Sequence, residues 1–121
     1  MPSFLPDTLT VSNTNGFNRP YLVTSSAISS TSPAVHTATQ LTNNVDEIWI
    51  WAQNNHTANV ELVIGWGGVL DRDCIKVSIP YKAGLHLVVP GLRLNSGLVV
   101  RAAASVPNVI NLFMNVNAFR V

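Results

Sequence analysis

The stretch Glu47–Trp66, which reads EIWIWAQNNHTANVELVIGW, decides the fold class of this chain. In its second half an apolar residue recurs at every second position from Val60 to Trp66, which is the period of a strand with one buried face. Its first half, Ile48–Ala52, carries apolar residues on both faces. Such a strand lies centrally between two layers or gives one face to a partner chain. The segment Asn54–Asn59 holds no apolar residue larger than Ala58 and predicts a hairpin loop between the two strands.

Further segments of the chain show strand periodicity and are separated by Gly, Pro or Asn residues. They are Val35–Thr42, Cys74–Ile79, Leu85–Val89, Leu98–Ala104 and Val109–Ala118. The last two are expected to form a pair across the turn between them. About seven short strands without a competing helical period favour an antiparallel β-sandwich or jelly roll, with a closed barrel as the second choice. We therefore predict an all-β protein with a single sandwich domain over residues 34–121.

Residues 1–33 do not show the period of any compact element, and we assign them to an extended N-terminal arm. Prolines interrupt the segment and push each preceding residue towards an extended conformation. Large apolar side chains are nevertheless scattered through it, among them Phe4, Leu5, Phe17 and Tyr21. An arm that lies on a neighbouring subunit can place such side chains in pockets there. The alternative, an edge strand and loop folded on the same domain, stays open at this point.

The composition indicates a protein that is covered by other proteins. Apolar residues make up 47% of the chain and charged residues only 11%, whereas an average protein has about 25% charged residues. The polar surface must consist mostly of Ser, Thr and Asn, which suits packing against neighbours. We therefore expect a homo-oligomer, either a dimer or a trimer. The net charge of +1, without a cluster of Lys or Arg, argues against a nucleic-acid partner.

Further features bear on where the protein folds. Cys74 is the single cysteine, so we expect a reduced thiol and no intrachain disulfide. The N-terminus lacks the basic region and apolar core that together mark a signal peptide. The longest apolar stretches, such as Leu85–Leu92, are far shorter than the roughly 20 residues that span a bilayer. The expectation is a protein without a membrane partner that is made and folds in a cytoplasm.

No residue pattern predicts catalysis, and we expect neither an enzyme nor a bound cofactor or metal. His36, His56 and His86 are dispersed without the spacing of a metal site. Asp71 and Asp73 flank an arginine, but a calcium loop usually offers more carboxylates and a glycine at a set place. No serine lies in a nucleophile elbow.

Two sets of side chains are candidates for binding a partner. Trp49 and Trp51 share one face of their strand, and aromatic pairs of this kind stack on sugar rings or nucleobases. Because their sequence neighbours are apolar, a place in the core or in a subunit interface is the preferred interpretation. Arg93, Arg101 and Arg120 are candidates for ion pairs with an acidic partner, since Arg binds carboxylates through two parallel hydrogen bonds. Surface arginines that snorkel towards water are the alternative.

Several stretches share strand texture and turn placement with one family of proteins. They are VHTAT (35–39), DEIWIWAQN (46–54), VELVIGWGG (60–68), IKVSIP (75–80), LVVPGLRLNSGLVVRAAAS (87–105) and VINLFMNVNAFRV (109–121). Through them the chain resembles small virion structural proteins of tailed bacteriophages, particularly capsid cement (decoration) proteins. The resemblance covers most of the chain but excludes the arm.

The resemblance implies a β-sandwich that oligomerises on the outer capsid lattice and stabilises the shell by bridging neighbouring major capsid proteins. It also implies localisation to the virion, on the capsid surface, after synthesis in the host cytoplasm. Under this interpretation the arm reaches a neighbouring subunit, whereas Trp49, Trp51 and the apolar face of Val109–Ala118 lie in the core or in oligomer interfaces. The alternative is a carbohydrate-binding module of a tail fibre or spike, with Trp49 and Trp51 as its platform.

Overall fold

The structure, a computed structural model, describes the backbone of residues 9–10 and the whole of residues 20–119. Within them it contains strands and one short 3-10 turn, Asp71–Asp73. The strands are β1 (Leu9–Thr10), β2 (Tyr21–Leu22), β3 (Ala34–Thr37), β4 (Val45–Asn54), β5 (Val60–Trp66), β6 (Cys74–Ile79), β7 (His86–Leu94), β8 (Val99–Ala104) and β9 (Ile110–Phe119). The predicted all-β class is confirmed, and the strands expected from the sequence correspond to β3–β9.

Two antiparallel sheets form the layers of a sandwich. In sheet A the order is β1–β9–β4–β7, and β2 also pairs with β9. Because β4 occupies the other side of β9, β1 and β2 share one edge of this sheet and act as a single interrupted strand. In sheet B the order is β3–β8–β5–β6. Each sheet is therefore four strands wide.

The chain crosses between the sheets at almost every connection, which is the winding of a jelly roll. β3 lies in sheet B, β4 in sheet A, β5 and β6 in sheet B, β7 in sheet A, β8 in sheet B and β9 in sheet A. Among β3–β9, only β5 and β6 are neighbours both along the chain and within a sheet. The open sandwich, and not the closed barrel, is thus the observed architecture.

The predictions that β4 pairs with β5 and that β8 pairs with β9 are wrong. β4 and β5 lie in different sheets, so residues 55–59 form an arch between the sheets, and β8 and β9 are separated in the same way. The buried side chain of Asn54 holds the first arch, because its Nδ2 donates to the carbonyl oxygens of Ala58 and Ile79 at 3.0 and 2.9 Å. Sheets pack about 10 Å apart, a gap that a few extended residues can cross. A short polar connection therefore does not distinguish an arch from a hairpin.

Fully buried side chains from both sheets fill the space between them. Ile48 and Ile50 of β4 lie in the core together with Leu62 and Ile64 of β5. β9 contributes every second residue, namely Ile110, Leu112, Met114, Val116 and Ala118. Burying one large aliphatic side chain stabilises a fold by about 1.5–3 kcal/mol. The core therefore fixes which face of each strand points outwards.

Residues 20–33 of the predicted arm lie on the sandwich itself. Tyr21 and Val23 are buried in the core, and β2 pairs with β9. The chain then crosses the outer face of sheet B, where a Cβ added at Gly65 would lie 3.4 Å from the side chain of Ile28. For this part of the arm the structure shows an edge strand and loop on the same domain. The rest of the predicted arm, apart from the backbone of β1, lies outside the described residues.

Candidate functional site

The outward surface of sheet A carries the two tryptophans that the sequence singles out. Along β4, and again along β9, every second side chain is buried and the others are half-buried on the outer face. We call this surface the tryptophan face. It consists of Glu47, Trp49, Trp51 and Gln53 from β4, Asn111, Phe113, Asn115 and Asn117 from β9, and Leu87, Pro90 and Arg93 from β7.

Strand pairing arranges the tryptophan face in rows across three strands. The rows are Arg93–Glu47–Asn117, Pro90–Trp49–Asn115 and Leu87–Trp51–Phe113, followed by Gln53 opposite Asn111. Directly opposed side chains on one face of an antiparallel pair lie about 4.5–5.5 Å apart at Cβ. Apolar and aromatic groups therefore occupy the centre of this face, and amides with one carboxylate and one guanidinium surround them.

The indole rings of Trp49 and Trp51 lie side by side along β4. Their centroids are 6.2 Å apart and their planes differ by 16°. The ring of Trp49 covers Gly91, because a Cβ added at Gly91 would lie 2.8 Å from Cζ2 of the indole. Gly91 has a φ of +78° and lies at a point where the pairing of β7 with β4 shifts register. A bulged residue without a side chain thus gives Trp49 its position.

The carboxylate of Glu47 is oriented by two hydrogen bonds to the same oxygen. Nε1 of Trp49 donates to Oε1 at 3.0 Å, and Nδ2 of Asn117 donates to Oε1 at 3.2 Å. The hydrogen bond from Trp49 is the largest cause that lowers the pKa of Glu47 below its ordinary value, and the bond from Asn117 is the second. Partial burial of the carboxyl group raises this pKa, and the nearby charge of Arg93 lowers it further. Within the described residues, Oε2 receives no hydrogen bond.

The β7 edge of sheet A does not favour the addition of another strand. Pro90 has no N–H to donate to a neighbour, and the pairing of β7 with β4 shifts register twice, around Gly91 and Val88. Bulges and prolines are the usual protection of an exposed sheet edge.

The remaining candidate residues from the sequence are spread over the molecule. Tyr21 is buried in the core, and this burial raises the pKa of its hydroxyl. Nε of Arg101 donates to the carbonyl oxygen of Ser32 at 3.0 Å, so this arginine holds the segment that crosses sheet B. Among those candidates that the structure describes, only Arg93 joins Trp49 and Trp51 on the tryptophan face. Phe4, Leu5, Phe17 and Arg120 lie outside the described residues.

Sequence reasoning missed the amides beside the tryptophans. The sequence neighbours of Trp49 are apolar, but its neighbours in space include Asn115 directly opposite and Asn117 in the next row. The regular spacing of Asn111, Asn115 and Asn117 on one face of the last strand was an available signal. The sequence alone does not show that this strand lies next to β4, so the spacing of the asparagines could not be connected with the tryptophans.

A second exposed surface lies at one end of the sandwich, where the β3–β4, β5–β6 and β7–β8 connections meet. Each connection carries an exposed leucine: Leu41, Leu70 and Leu98 have exposed fractions of 62%, 58% and 43%. Backbone hydrogen bonds from the N–H groups of Gly97 and Gly67 join the region of Leu98 to the other two connections. We call these three leucines the leucine end.

The part of the chain that the structure describes shows no cluster of metal-ligating side chains and no membrane-spanning helix. No group of three or more His, Cys, Asp or Glu side chains there is placed to hold a metal ion. No helix there is long and apolar enough to cross a membrane. Comparison of the chain with family models, with curated proteins and with solved structures finds no match.

Proposed function

We propose that this protein is a structural component of a tailed-phage virion, most specifically a capsid cement protein that oligomerises on the capsid surface and bridges major capsid proteins. The observation that carries the proposal is the leucine end. Three neighbouring loops at one end of the jelly roll each present a leucine to the solvent. In a chain with only 11% charged residues, such a surface favours association with another protein.

The energetics of the leucine end fit a contact that is weak in one copy and strong in a lattice. Covering a fully exposed leucine is worth about 1.5–3 kcal/mol, and these three side chains are already partly covered. Each copy therefore gains a few kcal/mol before the cost of association is subtracted. When many copies bind a shell and also bind one another, such weak contacts together give stable attachment.

Other residues are further candidates for the contacts of a cement protein. Phe4, Leu5 and Phe17 are candidates for reaching a neighbouring subunit, as the sequence predicts. Arg93 is exposed and is a candidate for an ion pair with an acidic group of a partner. Arg101 is a weaker candidate, because its guanidinium already holds Ser32. The proposed mode of action is buried area and not a chemical reaction.

Co-sedimentation with empty capsids of the parent phage tests this proposal. The full chain is expected to pellet with capsids that lack it, and the variant Leu41→Ser/Leu98→Ser is expected to bind at least about tenfold more weakly. The matched control is Leu85→Ser, since Leu85 is similarly exposed but lies at the opposite end of the sandwich. Undiminished binding by the double variant would show that the leucine end is not the contact. Failure of the unmodified protein to pellet would exclude the cement role.

A further inference from the structure

We propose that the tryptophan face is a binding site for a neutral carbohydrate chain, with sugar rings stacked on Trp49 and Trp51. The site is separate from the leucine end, and the inference does not depend on attachment to a capsid. It rests on three features of the described residues: a positioned aromatic pair, side-chain amides that have no partner, and an oriented carboxylate with one oxygen free.

The aromatic pair provides the apolar part of the site. Trp49 and Trp51 are half-buried, so their rings are held by the sheet and yet reach the surface. Their planes are nearly parallel, and Gly91 fixes the position of the first ring. A rigid aromatic surface binds the apolar face of a sugar ring at little cost in conformational entropy. Leu87 and Phe113, on either side of Trp51, extend this surface.

The amides provide groups that a sugar hydroxyl needs. The side chains of Asn115, Asn111 and Gln53 point to the outer face, and each is half-buried. Within the described residues, none of these three amides has a side-chain hydrogen bond. An amide offers two donors and an acceptor, which matches hydroxyl groups, since those also donate and accept. Asn115 lies opposite Trp49, so it is placed at the rim of a ring stacked there.

Glu47 adds a stronger acceptor. Both of its hydrogen bonds go to Oε1, which leaves Oε2 to accept from the ligand. Its orientation does not have to be established on binding, because Trp49 and Asn117 already hold it. A charged acceptor makes a shorter and stronger hydrogen bond to a hydroxyl than a neutral one does.

The aromatic surface continues into a polar depression beyond Trp51. Gln53 belongs to both, and the open cavity of about 420 Å³ next to it is lined by Asn55, His56, Thr57 and Lys82 among others. The arch of residues 55–59 forms one wall, and Asn54 holds it, since Oδ1 of Asn54 accepts from the N–H of His56 at 2.8 Å. An elongated ligand on the tryptophans would therefore meet further polar groups at this end.

The chemistry of the face favours a carbohydrate over a protein or a nucleic acid. A flat apolar partner would bury three amides without hydrogen bonds, at about 1–3 kcal/mol for each. A nucleic acid would need cations for its phosphates, and Arg93 is the one cationic side chain among the residues that make up the face. With one carboxylate and one guanidinium, the face matches an uncharged ligand that is rich in hydroxyl groups.

The test is binding of the full chain to neutral oligosaccharides containing glucose, mannose, galactose or N-acetylglucosamine, with sulfated chains for comparison. We expect a neutral chain to bind, and Trp49→Ala and Trp51→Ala to weaken that binding by about tenfold or more. Asn115→Ala, which leaves the aromatic rings in place, is expected to weaken it by about fivefold. Tyr81→Ala is the matched control, because Tyr81 is exposed on the β6–β7 connection, and it should bind normally.

Several outcomes would overturn this inference. One is a folded protein that binds no neutral oligosaccharide of the panel. Another is binding that both tryptophan variants retain. A third is a dimer that Trp49→Ala dissociates without any sugar binding, which would assign the face to a second copy of the chain. None of these results bears on the leucine end, so the inference and the cement proposal fail independently.

Discussion

The imidazole of His36 lies 2.9 Å from the carboxylate of Asp46, and both side chains are almost completely buried. His36 belongs to β3 in sheet B and Asp46 to β4 in sheet A, so the pair joins the two layers. The N–H of Thr39 donates to the same Oδ2 at 3.1 Å and ties the intervening loop to it.

Removing either member of this pair is expected to destabilise the fold. His36→Ala and Asp46→Ala should each lower the free energy of unfolding by about 2–4 kcal/mol, because the remaining polar partner stays buried. A double-mutant cycle measured by urea unfolding should give a coupling energy of about 1 kcal/mol or more. Strictly additive losses would show that the two groups do not stabilise one another.

The close packing of the Trp49 indole against Gly91 leads to a second prediction. Gly91→Ala places a side chain in the left-handed region and drives its Cβ into the indole. Gly84→Ala is the matched control, since Gly84 has a similar positive φ with nothing within 4 Å of the added Cβ. The control should lose about 1–2 kcal/mol of unfolding free energy, and Gly91→Ala clearly more, with a change in tryptophan fluorescence. Equal losses with unchanged fluorescence would contradict the contact.

The hydrogen bond from Trp49 predicts a change in the titration of Glu47. In Trp49→Phe the indole donor is gone, so the pKa of Glu47 should rise towards its ordinary value in an NMR titration. Trp51→Phe is the control, because no hydrogen bond joins Trp51 to Glu47, and it should leave the titration unchanged. A rise of the same size in both variants would mean that the hydrogen bond from Trp49 does not account for the lowered pKa of Glu47.

The same shift fixes the sign of a pH effect on stability. A carboxyl group whose pKa is lower in the folded state stabilises the fold when it is ionised. Glu47 therefore contributes fully above the pKa of an unfolded glutamate, about 4.3, and its contribution is lost as the pH falls through the lower folded-state pKa. Trp49→Phe should lose less stability than the unmodified protein does between neutral pH and this acidic range.

We expect Arg101 to hold in place the segment that crosses the outer face of sheet B. The N–H of Ala104 donates to the carbonyl oxygen of Ser25 in that segment at 2.9 Å, so its hydrogen exchange reports whether the segment is in place. Arg101→Ala removes the bond to Ser32 and should speed exchange at Ala104. Arg93→Ala, which alters an exposed arginine elsewhere, should leave the rate unchanged. Identical rates in all three proteins would mean that the segment does not need Arg101.

Much of the architecture follows from local alternation. The periodicity of Val60–Trp66 and of Val109–Ala118 identifies the strands and the side of each that is buried, because burial of one face repeats every second residue whatever the strand pairs with. The same alternation placed Trp49 and Trp51 on one face of β4. The low charge and the scattered prolines of the first residues were equally visible in the sequence.

Which strands pair with one another is decided only by the tertiary structure. A polar connection such as residues 55–59 can turn back within one sheet or cross to the other, and the choice depends on which pairing buries the most apolar surface across the whole molecule. That choice sets β9 beside β4 and brings Asn115 to Trp49. Non-local packing also buries Tyr21 in the core and brings Arg101 within hydrogen-bond distance of Ser32. The sequence by itself determined strands and their faces, whereas the site arises from non-local pairing, which no local period encodes.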